Sequence, residues 1–146
     1  MKFLLIIILS LFSYINSSWQ TDFEAAKKEA QQKHELILLN FSGSDWCSPC
    51  IQLKKTIFES DDFKSFADSS LVLVNADFPR LKKNKLSLEQ TRQNEKLADQ
   101  YNKEGNFPYT LLIRPDGKIL KTWNGLPPGN SDAFVHQLKE AMNARH

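Results

Sequence analysis

Helical and strand-like spacings of apolar residues alternate along the chain. Phe23, Ala26 and Ala30 share one helical face behind Thr21 and Glu24, which fit a capping box, and predict a helix over residues 22–33. Leu36-Ile-Leu-Leu-Asn-Phe41 is an apolar run too short for a helix and suited to a buried strand; Ser42-Gly-Ser-Asp45 interrupts it. From Cys47 to about Phe58 the pattern turns helical, with Leu53 and Ile57 one turn apart, and Ser60 is placed to cap a continuation carrying Phe63, Phe66 and Ala67. Leu71-Val-Leu-Val-Asn-Ala76 predicts a second buried strand. Ser87 and Gln90 open another helix with Leu97, Ala98 and Tyr101 inward, and Gly105 is its expected end. Residues 109–114 and 118–123 predict two strands around the hairpin-turn residues Pro115-Asp116-Gly117. After the Pro127-Pro128-Gly129 loop, Phe134, Val135, Leu138, Ala141 and Met142 mark a last helix from Ser131 to about Ala144. The early alternation implies parallel crossovers and the late hairpin an antiparallel edge.

The first eighteen residues stand apart. Lys2 precedes a mostly apolar run from Phe3 to Ile15, shorter than the roughly 20 residues a bilayer-spanning helix needs. A positive start, a short apolar run and the small polar residues Asn16, Ser17 and Ser18 have the form of a secretory signal peptide, with cleavage expected after Ser17 or Ser18. An uncleaved anchor is the alternative; no Cys stands near the cut to carry a lipid. The expected division is residues 1–18 as signal and 19–146 as one soluble domain without stable membrane insertion, exported to a periplasm or secreted, where disulfides persist. A monomer is expected.

Composition narrows the function classes. The chain has 146 residues, 41% hydrophobic and 11% aromatic, enough for one packed core. Its net charge of +2 gives no nucleic-acid footprint. The basic loop Pro79-Arg-Leu-Lys-Lys-Asn-Lys-Leu-Ser87 reads as a solvated surface rather than a phosphate site. With two cysteines, neither a disulfide framework nor a four-thiolate zinc site is available.

Cys47-Ser48-Pro49-Cys50 carries the candidate chemistry. It follows a strand and a polar loop and opens a helix, where unpaired N–H groups and the positive end of the dipole favour a thiolate. Cys47 is the expected exposed nucleophile. Cys50, one turn on, can reach its sulfur and resolve a mixed disulfide. Pro49 suits an early helical position, and the Ser48-Pro49 spacer tunes the pair without adding a cation. Half a zinc site is one alternative, but His34, His136 and His146 are single and widely spaced. A structural disulfide is another, but it would close a very short loop and add little stability. No metal or cofactor is expected.

Trp46-Cys47-Ser48-Pro49-Cys50 resembles the W-C-x-x-C site of the thioredoxin superfamily, and Phe107-Pro108, just before a strand, resembles that family's cis-proline loop. Phe41-Ser-Gly-Ser-Asp-Trp-Cys47 is especially similar to exported bacterial thioredoxin-like proteins. The resemblance implies an α/β thioredoxin fold: a central mixed sheet of four to five strands flanked by helices, ending in a hairpin and a helix. It implies Cys47 and Cys50 as the redox pair, Trp46 as the flanking aromatic, Pro108 as the facing cis-proline, and Phe107 as the residue whose backbone pairs with an extended substrate.

A thiol–disulfide oxidoreductase follows, more reductase than oxidase, because the Ser-Pro spacer resembles the Gly-Pro spacer of reducing thioredoxins. Its expected partners are disulfide-containing proteins and an upstream, membrane-bound thiol donor. A disulfide oxidase or isomerase and a non-catalytic binding module are the alternatives. Cytosolic thioredoxins also use a buried Asp with a Lys partner for proton transfer at the second cysteine. Aligning the strands puts Asn40 and Leu73 at those places, which leaves water, substrate, Asp45, Glu59 or Lys54 for that step.

Overall fold

The computed structural model describes residues 18–144; the expected signal segment lies, but for Ser18, outside them. Helix α1 (Phe23–Lys33) leads into strand β1 (Leu36–Ser42). Helix α2 (Ser48–Leu53) runs on through a π-helical turn, Lys54–Phe58, and is followed by α3 (Asp61–Ser70) and β2 (Leu71–Asp77). A short 3-10 turn (Lys82–Asn84), α4 (Leu88–Tyr101), β3 (Tyr109–Ile113), β4 (Ile119–Asn124) and α5 (Ser131–Asn143) complete the order. The sheet order is β2-β1-β3-β4, with β1 and β2 parallel and the other pairs antiparallel. An isolated parallel bridge from Gln20 to Val74 borders the outer edge of β2, so among the described residues four strands and one bridge make up the sheet.

Helix starts follow local chemistry. Ser60 and Ser87 accept from the N–H groups of Phe63 and Gln90, as the sequence predicts. The first helix differs: Asp22, not Thr21, is its cap, accepting from the Ala25 N–H at 3.0 Å. The predicted helix from Cys47 to Phe58 is half α and half π. The wider turn accompanies Ile57 and Phe58 into a cluster with Phe63 and Phe134. Helix α4 stops at Tyr101 with Asn102 as its cap, and Gly105 lies in the loop beyond. Asn102 holds that loop by exchanging hydrogen bonds with the backbone of Asn106. In the β3–β4 turn Gly117 adopts φ +91°, a conformation costly for residues with a Cβ.

Strand alternation divides the core. Leu36 and Leu38 of β1 and Leu71 and Leu73 of β2 face α3, α5 and the π turn. Ile37, Leu39, Phe41, Val72, Val74 and Ala76 face α1 and α4. Each fully covered Leu, Ile or Phe contributes about 1.5–3 kcal/mol relative to exposure. Both faces of β1 are covered along its whole length, which explains why this strand reads as a continuous apolar run.

Candidate active site

At the C-terminal end of β1 the chain turns sharply into α2. The Cys47 and Trp46 N–H groups both donate to the Gly43 carbonyl, at 2.9 and 3.3 Å. Cys47 becomes the N-cap of α2, and its Sγ accepts the Cys50 N–H at 3.3 Å. Ser48 and Pro49 occupy the first turn and face solvent. The two cysteines form a disulfide with Cα atoms 5.2 Å apart. In this oxidised state Cys47 is 5% exposed and Cys50 4%, so accessible area does not distinguish an exposed first from a shielded second cysteine. Their hydrogen bond does separate them, since the sulfur at the helix cap is the one that receives an N–H.

Beside Cys47 stands an aromatic platform. A Cβ at Gly43 would fall 2.3 Å from the Trp46 ring, so glycine is what lets the indole lie against the loop. Trp46 Nε1 donates to the Phe78 carbonyl at 2.7 Å, and its ring meets the Phe107 ring edge-on at 5.4 Å. Phe107 also meets Phe78 at 5.5 Å. The Phe107–Pro108 bond is cis, and the next residue, Tyr109, pairs with Phe41 of β1. The structure thus gathers Trp46, Phe107 and the cysteine-bearing loop at one sheet end.

Below Cys50 lies a cavity of about 320 Å3 whose walls include Asn40, Asn75, Ser42, Lys54 and Cys50. Asn40 sits on the same face of β1 as Leu36 and Leu38, the face that α2 covers. The register pairs Asn40 with Asn75 and with Thr110, not with Leu73, which pairs with Leu38. Leu73, expected at the place of the family's lysine partner, lies opposite Leu38, and Asn75 is the β2 residue opposite Asn40. Asn40 Nδ2 donates to Asn75 Oδ1 at 3.0 Å, and the Thr110 hydroxyl donates to Asn40 Oδ1 at 3.0 Å. A mutually satisfied neutral row thus occupies this end of the sheet.

The charged candidates for proton transfer fall elsewhere, with one exception. Asp45 accepts from the N–H groups of Arg80 and Leu81 and from Asn84 Nδ2, at 2.9, 3.0 and 3.0 Å. These bonds, the Arg80 N–H foremost, hold its carboxyl below the usual range. Asp45 is a loop clamp. Glu59 reaches Lys54 at 3.9 Å but does not line the cavity; Lys54 does. A second carboxylate, Asp77, ties β2 to the β1–α2 loop by accepting from the Ser44 N–H and hydroxyl.

Sequence reasoning missed Gly43, Phe78, Asn75 and Arg80. The glycine was visible as a loop breaker, but its contact with Trp46 was not. A wider hollow of about 470 Å3 lies at the opposite end of the sheet, among His34, Glu35, Arg114 and Asp116. It holds no thiol, so the cysteine pair remains the candidate site.

Comparison with known proteins agrees with this geometry. A profile of the thioredoxin-like domain matches residues 23–141. The chain is 38% identical over 130 residues to the disulfide bond reductase DsbH of Chlamydia pneumoniae, covering 89% of this chain and 75% of that protein. A solved structure of a DsbH oxidoreductase matches with a TM-score of 0.79 at 38% identity, covering 89% of this chain and 87% of the other. The oxidised C-terminal domain of Neisseria meningitidis DsbD matches with a TM-score of 0.56 at 16% identity, covering 80% of this chain and 90% of that one, a likeness of fold alone. Because the match runs from the first helix to the last, across the junction that seats the two cysteines, the chain belongs to the thioredoxin-like family.

Proposed function

We propose that the protein reduces disulfides of exported proteins, with Cys47 as nucleophile and Cys50 as resolving thiol. That it is a thiol–disulfide oxidoreductase follows from its family and from its likeness to DsbH. The observation that carries the division of labour is the Cys50 N–H held 3.3 Å from Cys47 Sγ at the helix cap. A donor placed there stabilises negative charge on the first sulfur.

In the cycle, the Cys47 thiolate attacks one sulfur of a substrate disulfide. The other sulfur leaves as a thiolate and takes up a proton. Cys50 loses its proton and attacks Cys47 Sγ, and the second substrate thiolate departs. The substrate has gained two electrons, and the protein retains the Cys47–Cys50 disulfide. A membrane-bound dithiol donor then returns two electrons to the pair.

Trp46, Phe107 and Pro108 form the platform over which an extended substrate segment lies, with the Phe107 backbone as its pairing edge. Ser48 and Pro49 shape the spacer. Support for export comes from the short apolar start of the chain. Among the described residues no helix is long and apolar enough to cross a membrane. We place the signal at residues 1–18 and the thioredoxin-like domain at 19–146, acting as a monomer.

The test is covalent capture. Cys50→Ser should accumulate mixed disulfides with exported proteins, because attack survives and resolution does not. Adducts forming equally on Cys47→Ser would overturn the roles. Mass spectrometry of the exported protein should find Ser18 or Trp19 at its N-terminus.

A further inference from the structure

The cysteine pair is bordered by a loop for which the exchange cycle gives no task. Segment 79–87 carries Arg80, Lys82, Lys83 and Lys85 and no acidic residue. Its start is fixed in place: Asp45, two residues before Cys47, accepts from the backbone of Arg80 and Leu81 and from the Asn84 side chain. The Asp45 carboxylate is thereby taken up by the N–H groups of the loop rather than by the Arg80 guanidinium. That guanidinium lies on the face of Trp46, its Cζ 3.7 Å from the ring centroid. Among the described residues no carboxylate pairs with it. Trp46 is itself held by Gly43, by Phe107 and by its bond to the Phe78 carbonyl.

A stacked guanidinium keeps the N–H groups of its edge free for a planar, bidentate acceptor. Stacking also removes much of the rotamer freedom that an exposed arginine would lose on binding, so the cation is pre-organised. The indole it covers belongs to the residue next to Cys47, so the cation sits on the flank of the redox pair.

We infer that Arg80 is a specificity residue that pairs with an Asp or Glu side chain close to the target disulfide, and that Lys82, Lys83 and Lys85 steer acidic segments toward the site. The inference rests on the reading that this site reduces protein disulfides. Opposite charge supplies the complementarity, and long-range attraction acts mainly on encounter.

The test uses two disulfide-linked peptides, identical except for Glu or Gln beside the cystine. Wild-type protein should reduce the Glu peptide with about tenfold higher kcat/KM, equivalent to about 1.4 kcal/mol, expressed in KM. The preference should shrink as salt rises from about 20 to about 300 mM. Arg80→Gln should bring it close to one, and Arg80→Lys should keep only part of it, since the charge remains without the planar fork. Equal rates on the two peptides would overturn the inference and leave disulfide reduction standing; reduction of neither would overturn both. An Arg80→Gln loss that is the same for both peptides would make Arg80 a support for Trp46 and overturn the inference. So would Arg80-dependent binding to phosphatidylglycerol vesicles without peptide preference.

Discussion

Behind Cys50 the site meets amides and hydroxyls that satisfy one another, whereas beside Trp46 it meets a guanidinium with no carboxylate opposite it among the described residues. The inner flank is made by strand register. Asn40, Asn75 and Thr110 fall together because β1, β2 and β3 pair there, and a cavity with one cation and no carboxylate opens beneath Cys50. The outer flank is made by loops. Asp45, Gly43 and the segment after β2 bring Trp46, Phe78, Phe107 and Arg80 side by side. The difference separates two tasks. On the proposed reading, the inner flank sets proton movement at Cys50 without a buried acid, and the outer flank sets which substrate approaches Cys47.

The largest effect is expected at the cysteine pair between the two flanks. Cys47→Ser should remove disulfide reduction entirely in a turbidity assay of insulin reduction. Cys50→Ser should retain the first attack and stop after one stoichiometric adduct.

Next in size is the introduction of an acid on the inner flank. Asn40→Asp would bury a carboxyl whose pKa desolvation raises above its unfolded value near 3.9. Such a variant is penalised as pH rises, because the unfolded state ionises first. Relative to wild type it should lose about 2 kcal/mol between pH 4 and pH 8 if the pKa rises roughly two units. Urea unfolding at the two pH values measures this. The rate of the Cys50 step should also gain a titration that wild type lacks. A pH-independent stability difference would show that position 40 is wetter than the row of hydrogen bonds implies.

On the outer flank, Gly43→Ala forces the Trp46 ring away from a Cβ that would lie 2.3 Å from it. Overpacking of this kind costs about 1–3 kcal/mol. Chemical denaturation should report that loss, and peptide-disulfide reduction should fall with it while the thiols remain.

The smallest effect is local. The hydrogen bonds that depress the Asp45 carboxyl belong to the folded state, so the loop clamp is at full strength above the unfolded pKa. It weakens as pH falls through the depressed folded value. The Arg80 and Leu81 amide resonances should shift together below about pH 4 and stay constant above about pH 5. Asp45→Asn should abolish the shared transition.

The fold was legible wherever a single element carried its own signal. Apolar periodicity marked the helices and strands, and Ser60 and Ser87 marked two helix starts. Thr21 misled because Asp22, its neighbour, is an equally good cap, and only the backbone decides between them. The π turn at Lys54–Phe58 was hidden because it depends on Phe58 meeting Trp19, Phe63 and Phe134 from other elements. The same division holds for the site. Trp46, Cys47, Cys50 and Phe107-Pro108 stand in short local motifs. Asn75 emerges only from the β1–β2 register, since a shift of two residues keeps the face and changes the partner. Arg80 looked like any solvated cation because its stacking partner comes from a distant part of the chain.

On the proposed function this cysteine pair works as a reductant. Equilibration of the protein with defined ratios of reduced to oxidised glutathione, followed by thiol trapping, measures it most directly. The Ser48-Pro49 spacer adds no cation to the helix-end stabilisation of Cys47. The expected potential is therefore roughly −200 to −270 mV, toward the thioredoxin end of the family's range. A value above about −150 mV, close to that of the strong oxidant DsbA, would contradict it.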